Sequence, residues 1–409
     1  MNPARFTREI GHILSSSRAS TLVVADEFRD LCESVRPEKL GGVVSVQDIV
    51  ESSGELSLLD VSDNDPVAIV YTSGTTGLPK GATYAGRQLE AIRRAEVEVH
   101  PELHPRVMAA IPMPHMGFMA RIAATIDRAT TTVLIDQWTA RGALELIERE
   151  RLTRVGGIPT QLALMLMDPE FERFDLSSVR ECALGGAPAS PELVRRIREA
   201  FGVPVTVRYS CTELGVTTAT GPGDSDEVVA ETVGRPLPGV DVRILEPRGD
   251  GIGEVAVRST AMMSGYWGDP EGTAAAIDPG GFFHTGDLGW VDADGNLRLA
   301  GRTREMYIRG GYNVYPVEVE AVLQEHPKVA LAAVIGVPDE VLGERGKAFV
   351  IPRDRRAPPT AEELKVFIAE HIADYKVPDV FEFRDELPMT AMHKVDKRAL
   401  SWPGESAAV

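Results

Sequence analysis

The sequence predicts an α/β protein followed by a smaller α+β unit, and three observations carry that prediction. Short apolar runs that read as buried strands, "VAIVY" (Val67–Tyr71) and "TTVLI" (Thr131–Ile135), alternate with helical patterns, "GALELIERERL" (Gly142–Leu152) and "SPELVRRIREAFG" (Ser190–Gly202). Such alternation is what a sheet covered by helices requires. The chain has 409 residues, more than one core of ordinary size organises, so at least two domains are expected. Finally, the texture changes near "GRTREMYIRGGYNVYPVEVEAVLQEHP" (Gly301–Pro327), which places a boundary between Arg302 and Arg304. The expected domains are therefore residues 1–302 and 303–409.

The elements carry their own punctuation. Ser190 is an N-cap, Pro191 stands at the first helical position, and Gly202 follows the helix end. Beyond the boundary the pattern predicts a helix from about Pro316, strands Val329–Val337 and Gly346–Pro352, and a helix opening at Thr360. Thr360 and Glu363 have the spacing of a capping box. This is enough chain for a separate small domain.

Composition narrows the functional classes. The 43% hydrophobic and 25% charged content is ordinary for a globular protein. The formal net charge of −18 disfavours nucleic acid and anionic membrane surfaces as partners, while a local basic cleft could still hold a nucleotide. Cys32, Cys182 and Cys211 form no paired motif, which argues against a disulfide framework and for a reducing compartment. The start lacks an apolar core of signal-peptide length, and no run reaches the length of a membrane span. A soluble, cytoplasmic protein is the expectation.

The stretch "YTSGTTGLPKGA" (Tyr71–Ala82) is the densest chemical signal. Its glycines let backbone approach an anion and adopt positive φ. Consecutive N–H groups, hydroxyls and Lys80 would together cradle phosphate. A Walker A loop needs Gly directly before its Lys and Ser or Thr directly after; here Pro79 precedes Lys80 and Gly81 follows, so that reading fails.

This loop resembles the phosphate-binding loop of the acyl-adenylate-forming superfamily: acyl- and aryl-CoA ligases, peptide-synthetase adenylation domains and luciferases. The resemblance extends over nearly the whole chain. In the family's order follow "GGAP" (Gly185–Pro188), "YSCTE" (Tyr209–Glu213), "GYWGDPEGTAAAI" (Gly265–Ile277), "TGDLGWVDADGNLRLAGR" (Thr285–Arg302), "RGGYNVYPVEVE" (Arg309–Glu320), "GERGKAFV" (Gly343–Val350) and "PMTAMHK" (Pro388–Lys394). It implies a large multi-sheet α/β N-terminal domain and a small mobile C-terminal domain. It also implies a two-step reaction. MgATP and a carboxylate give an acyl-adenylate and pyrophosphate, and a thiol, usually of coenzyme A, then displaces AMP.

The site roles follow from the same resemblance. Thr72, Ser73, Gly74, Thr75, Thr76, Gly77 and Lys80 would hold the β- and γ-phosphates. Gly185, Gly186, Ala187 and Pro188 match the adenine wall, or else form an ordinary tight turn. Tyr209 matches the aromatic that stacks on adenine, although a tyrosine there also suits a core. Glu213 matches the Mg²⁺ ligand, a carboxylate for a hard cation, and Thr212 would contact the α-phosphate. Asp287 and Arg302 match ribose ligands. Lys394 matches the mobile catalytic lysine, whose charge would offset the negative charge that builds as a carboxylate oxygen approaches the α-phosphate.

Arg304 occupies the family's hinge position, usually Lys or Asp. Rotation about it would withdraw Lys394 and present the "RGGYN" face, where Gly310 and Gly311 would let pantetheine pass close to backbone. His115 in "PMPHMGFM" matches a position near the acyl and thiol channel, or is structural. Met113, Met116, Phe118 and Met119 line an apolar acyl pocket or pack in the core. Peptide-synthetase domains usually carry Asp in this region to bind an amino group; none lies between Pro112 and Ile126, which favours a non-amino carboxylate, and the apolar stretch around His115 together with the motif set makes an apolar, fatty or alicyclic acid the expectation.

Two departures stand out. His393 occupies the place where the family generally has Gly before the catalytic lysine, so either this loop closes by another backbone route or adenylation is slowed. The opening, "NPARFTREIGHILSSSRASTLVV", resembles an internal family segment, which implies a large domain shortened at its start, with exposed apolar surface and strand edges. A mis-chosen start codon and a shortened enzyme leaning on a homodimer partner are both compatible with it. Beside acyl-CoA ligase stand two other functions: loading of a carrier protein, and a non-catalytic protein that binds nucleotide or acyl ligand.

Overall fold

The apolar runs do become strands, but at sheet edges rather than in sheet centres. The computed structural model describes residues 3–52, 60–72, 78–99, 104–110, 113, 115–119, 121–187, 189–390 and 394–400. A short parallel pair, β1 (Thr21–Val24) and β2 (Gly42–Ser45), comes first. Next, β3 (Pro66–Tyr71) and β4 (Gly81–Ala85) form a three-stranded antiparallel sheet with the distant β14 (Gly265–Tyr266), in the order β14-β4-β3. β3 has a neighbour strand on one side alone, and Val67 near its start is 51% exposed while Val70 further along is 3% exposed.

The largest sheet has seven strands: β5 (Arg106–Met108), β6 (Thr131–Val133), β7 (Arg154–Gly157), β8 (Glu181–Gly185), β9 (Val205–Cys211), β10 (Gly215–Ala219) and β11 (Arg235–Pro236). Their order is β11-β10-β9-β8-β7-β5-β6. The run from β9 to β6 is parallel, and the β9–β10 hairpin adds an antiparallel edge. β6 ends two residues earlier than its apolar run, and Leu134 is exposed at this sheet edge.

Crossover helices Ala140–Glu150, Pro159–Leu166 and Pro191–Phe201 bury Leu144, Ile147, Leu162 and Ile197 against the sheet. Each such side chain contributes about 1.5–3 kcal/mol of transfer free energy. The Ser190 hydroxyl accepts from the Leu193 N–H at 3.3 Å, and Gly202 ends that helix at φ 63°. The first of these helices starts two residues before the pattern predicts, because the Thr139 hydroxyl caps it by accepting from the Gly142 N–H at 3.0 Å.

A four-stranded antiparallel sheet follows: β12 (Val240–Leu245), β13 (Gly253–Ser259), β15 (Phe283–Val291) and β16 (Leu297–Arg302). Its register sets Asp287 directly opposite Arg302.

The small C-terminal unit is built on β17 (Tyr307–Arg309), β18 (Tyr312–Val314), β19 (Val329–Asp339), β20 (Gly343–Pro352) and β21 (Val380–Phe383). Its sheet runs β18-β17-β20-β19, with β21 parallel to β20. Helices Pro316–Glu325 and Ala361–His371 cover it through Val319, Leu323, Leu364 and Ile368. The capping box forms: Glu363 N–H donates to Thr360 Oγ1 at 3.1 Å, and Thr360 N–H to a Glu363 carboxylate oxygen at 3.4 Å. The chain thus combines a large multi-sheet α/β domain with a small α+β one.

The units touch at a few points. Ser190 Oγ donates to Gln324 Oε1 at 3.0 Å, Arg248 Nη1 donates to the Tyr315 hydroxyl at 2.8 Å, and Met167 packs into an apolar cluster with Leu331 and Phe349. Among the described residues, no helix is long and apolar enough to cross a membrane.

Candidate active site

The loop after β3 is closed at its base by its own ends. Thr72 N–H donates to the Lys80 carbonyl at 2.9 Å, and Lys80 N–H to Thr72 Oγ1 at 3.3 Å. Ser73, Gly74, Thr75, Thr76 and Gly77 lie outside the described residues, as do Pro188 and His393. Lys80 Nζ lies 3.8 Å from Asp269 Oδ2 and 4.8 Å from the centre of the Tyr266 ring. Gly81 is sterically required, since a Cβ there would meet Ile69 Cγ2 at 2.6 Å. Its carbonyl accepts from Trp267 N–H at 2.7 Å, which joins the "GYWGD" segment to the root of the loop.

Two tyrosines from the three-stranded sheet hold the β9–β10 turn. Tyr84 OH donates to the Thr212 carbonyl at 2.5 Å, and Tyr266 OH donates to Glu213 Oε1 at 2.9 Å. Burial, then the Glu213 charge, pushes the Tyr266 phenol well above its ordinary pKa, so it remains a donor. Tyr266 falls within the "GYWGDPEGTAAAI" motif, which assigns it no role of its own, and Tyr84 bears no local signal. Tyr84 is fully buried in an apolar strand, and its partner is 128 residues away.

Tyr209, Asp287 and Arg302 come together as one hydrogen-bonded chain. Tyr209 OH donates to Asp287 Oδ2 at 2.5 Å, and Arg302 Nε donates to Asp287 Oδ1 at 2.8 Å. Asp287 is 6% exposed, so both carboxylate oxygens are satisfied inside the protein. Tyr209 itself is buried within an apolar cluster that includes Tyr84, Ile92 and Met116.

Lys394 crosses from the small unit to the large one. Its loop is closed by Thr390, whose N–H donates to the Lys394 carbonyl at 2.7 Å and whose Oγ1 accepts from Lys394 N–H at 3.2 Å. The side chain lies over Gly186, at φ 79°, where a Cβ would stand 3.7 Å from Lys394 Cε and 3.8 Å from Nζ. Gly185 before it packs on the Arg208 carbonyl, which an added Cβ would approach to 3.2 Å. Ala187 follows, partly buried. Burial, reinforced by Arg302, draws the Lys394 ammonium below the usual lysine pKa, with Asp287 and Cys211 opposing.

His115 faces the same charge. Burial, with Lys394 adding to it, pushes its pKa down to about 4, so the ring is neutral at pH 7. Nδ1 accepts from Gly117 N–H at 3.1 Å, which leaves the neutral ring's proton on Nε2. Of the nearby methionines, Met116 is core and Met113 is 47% exposed. Arg304 is exposed between β16 and β17. Gly310 (φ 57°) and Gly311 (φ 87°) turn the chain from β17 to β18, with Gly310 N–H donating to the Leu342 carbonyl at 2.8 Å.

Among the described residues, no group of three His, Cys, Asp or Glu side chains forms a metal cage. A single carboxylate of Glu213 with one oxygen held by Tyr266 suits Mg²⁺, which keeps water and substrate phosphate oxygens as its other ligands.

A large α/β domain with a closed-base glycine loop, and a small domain that sends a lysine across to a glycine turn, define a two-domain nucleotide-binding architecture. The chain belongs to the AMP-binding enzyme family. That family's profile matches residues 1–267, and the profile of the AMP-binding enzyme C-terminal domain matches residues 318–394. A 3-(7a-methyl-1,5-dioxo-octahydro-1H-inden-4-yl)propanoyl:CoA ligase of Mycobacterium tuberculosis is 40% identical over 345 residues, or 83% of this chain and 66% of that protein. The chain thus spans just under two thirds of that relative's length. The fatty acid–acyl-carrier-protein ligase ScoC of Streptomyces coeruleorubidus is 33% identical, covering 96% of this chain and 79% of its own. The ATP-bound crystal structure of MatB from Rhodopseudomonas palustris superposes with a TM-score of 0.87 at 28% identity, covering 96% of this chain and 81% of that one.

Proposed function

We propose that the chain is an ATP-dependent, AMP-forming acyl-CoA ligase acting on an apolar carboxylic acid, fatty or alicyclic. The observation that carries the reading is Lys394, seated over Gly186 and next to the Tyr209–Asp287–Arg302 chain although it comes from the other domain. A partly buried cation held there suits an adenylation step. A carboxylate oxygen attacks the α-phosphorus of ATP, the bond to the bridging oxygen breaks, and pyrophosphate leaves. Lys394 would stabilise the charge that builds between the carboxylate and the phosphate. Neutral His115, with its proton on Nε2, would donate to the carboxylate without adding a second positive charge.

In this reading Lys80, Thr72 and the glycine loop hold the β- and γ-phosphates, and Thr212 contacts the α-phosphate. Gly185 to Pro188 and Tyr209 face adenine, while Asp287 and Arg302 take the ribose. Glu213 would hold Mg²⁺, which supplies neutralisation of phosphate charge. In the second step a coenzyme A thiol attacks the acyl carbon and AMP leaves. The domains divide after Arg302, and rotation at Arg304 brings Gly310 and Gly311 to the thiol. The relative that acts as a CoA ligase supports coenzyme A as the acceptor. The acyl-carrier-protein ligase supports a second reading, in which the acceptor is a carrier-protein thiol.

The test is ATP–pyrophosphate exchange across a panel of carboxylic acids, followed by mass measurement of the thioester formed with free coenzyme A. Carboxylate-dependent exchange and an acyl-CoA product are expected. Exchange without acyl-CoA would favour the carrier protein, and ATP binding without exchange would overturn both.

A further inference from the structure

Two lysines stand three residues apart near the end of the small domain, and their surroundings differ. Lys394 is drawn below the ordinary lysine pKa by burial and by Arg302. At Lys397 burial also acts downward, but Glu320 and then Glu305 outweigh it and hold the ammonium above its ordinary value. Lys397 Nζ donates to Glu305 Oε2 at 3.0 Å and lies 2.7 Å from Glu320 Oε1. The reactions above use Lys394 and give Lys397 no task.

The two carboxylates come from separate elements. Glu320 belongs to the Pro316–Glu325 helix, and its Oε1 also accepts from Val334 N–H of β19 at 2.7 Å. Glu305 directly follows Arg304, and its N–H donates to the Arg302 carbonyl at 3.1 Å. Lys397 thus ties the stretch that bears Lys394 to the turn that starts at Arg302. The chain end is held in the small domain by other contacts as well. Leu400 is buried in one cluster with Leu331, Phe349 and Leu387, Met389 forms a β-bridge with Val395, and Asp396 N–H donates to the Pro388 carbonyl at 2.8 Å.

We propose that Lys397 is a positioning residue for adenylation, which together with Glu305 and Glu320 sets how far Lys394 reaches into the large domain. The proposal rests on the adenylation reading above. A buried ion pair is weak evidence for stability, and its best-attested use is to fix register. From Lys394 to Lys397 the chain spans at most roughly 10 Å, so a displacement at the anchor is felt at the lysine that crosses. A misplacement of about 1 Å in a reacting geometry costs about 10²-fold in rate. Lys397→Met keeps an unbranched side chain and removes the tie. Glu320 then retains its bond from Val334, and Glu305, the more exposed of the two, can turn to water.

The experiment measures carboxylate-dependent pyrophosphate exchange over the acid panel, octanoate and cyclohexanecarboxylate included. For the acid that wild type activates fastest, it also measures thioester formation from supplied acyl-AMP and coenzyme A. Lys397→Met should lower kcat for exchange by about ten- to a hundredfold, with KM for ATP little changed and thioester formation at the wild-type rate. Lys397→Arg, whose guanidinium can reach both carboxylates, should recover most of the exchange. In the Lys394→Met background, Lys397→Met should add no further loss, because it acts through the lysine already removed. Glu305→Gln, which weakens the tie to the Arg302 turn alone and leaves Lys397 on Glu320, should slow exchange selectively even where Lys397→Met folds poorly. Equal loss in both half-reactions, a loss that multiplies with that of Lys394→Met, or wild-type exchange in Glu305→Gln would each overturn the positioning role and leave the ligase reading standing. A wild type without exchange on any acid would overturn the ligase reading and the positioning role with it.

Discussion

Replacing Lys394 by methionine separates the chemistry from the fold. Methionine keeps an unbranched side chain over Gly186, where Lys394 Cε now lies 3.7 Å from the position of an added Cβ. What is lost is one partly buried cation, which the adenylation reading places beside the reacting phosphate. Removing a single such donor costs about 10²–10³ in rate, or about 2.7–4 kcal/mol of transition-state stabilisation. Carboxylate-dependent pyrophosphate exchange should fall by that factor.

Thioester formation from supplied acyl-AMP and coenzyme A should stay within about threefold of wild type, because Lys394 has no part in the attack of the thiol. The fold should not weaken. The ammonium is partly buried and repelled by Arg302, so its folded pKa lies below the unfolded value of 10.5. A lysine whose pKa is lowered costs stability while both states are protonated, and the cost is relieved as pH rises through the folded pKa towards 10.5. Denaturant melts at pH 7 should therefore place Lys394→Met at or above wild type, with the difference vanishing above pH 10.5. Equal loss in both half-reactions would refute the assignment, and so would a clear drop in stability at pH 7.

Two other outcomes test the surroundings. His115 is held down to about 4 against an ordinary 6.5, so between those values the unfolded chain binds the proton first and stability falls as pH falls. After discounting for partial exposure this amounts to about 2 kcal/mol; urea melts at pH 7 and pH 4 should show wild type losing that much more than His115→Phe, and parallel losses would contradict it. Ser190→Ala removes both the cap on Leu193 and the bridge to Gln324, and should cost about 1–2 kcal/mol in the same melts, where Gln324→Ala should cost less.

Local chemistry was legible wherever its cause lies within a few residues. Ser190, Gly202 and the Thr360–Glu363 box behave as their spacing requires, because caps act between near neighbours. Thr139 was missed although its signal is equally local, since the hydrophobic pattern drew the helix start inward. The apolar runs at β3 and β6 were legible as strands but not as edges, because neighbour count is a property of the sheet.

Motif order along the chain was enough to establish the family, the α/β class, the smaller second domain, and Glu213, Asp287, Arg302 and Lys394 as a set worth seeking, since each motif is a short segment with its own chemistry. What folding alone decided is which of these groups meet. Asp287 faces Arg302 through strand register, and Tyr84 and Tyr266 reach the Thr212–Glu213 turn from a separate sheet. Lys394 reaches Gly186 from another domain, and Arg208 pairs with Glu96, 112 residues earlier. Those pairings depend on burial and on distances between segments far apart in the chain, and no pattern of neighbours along a sequence encodes them.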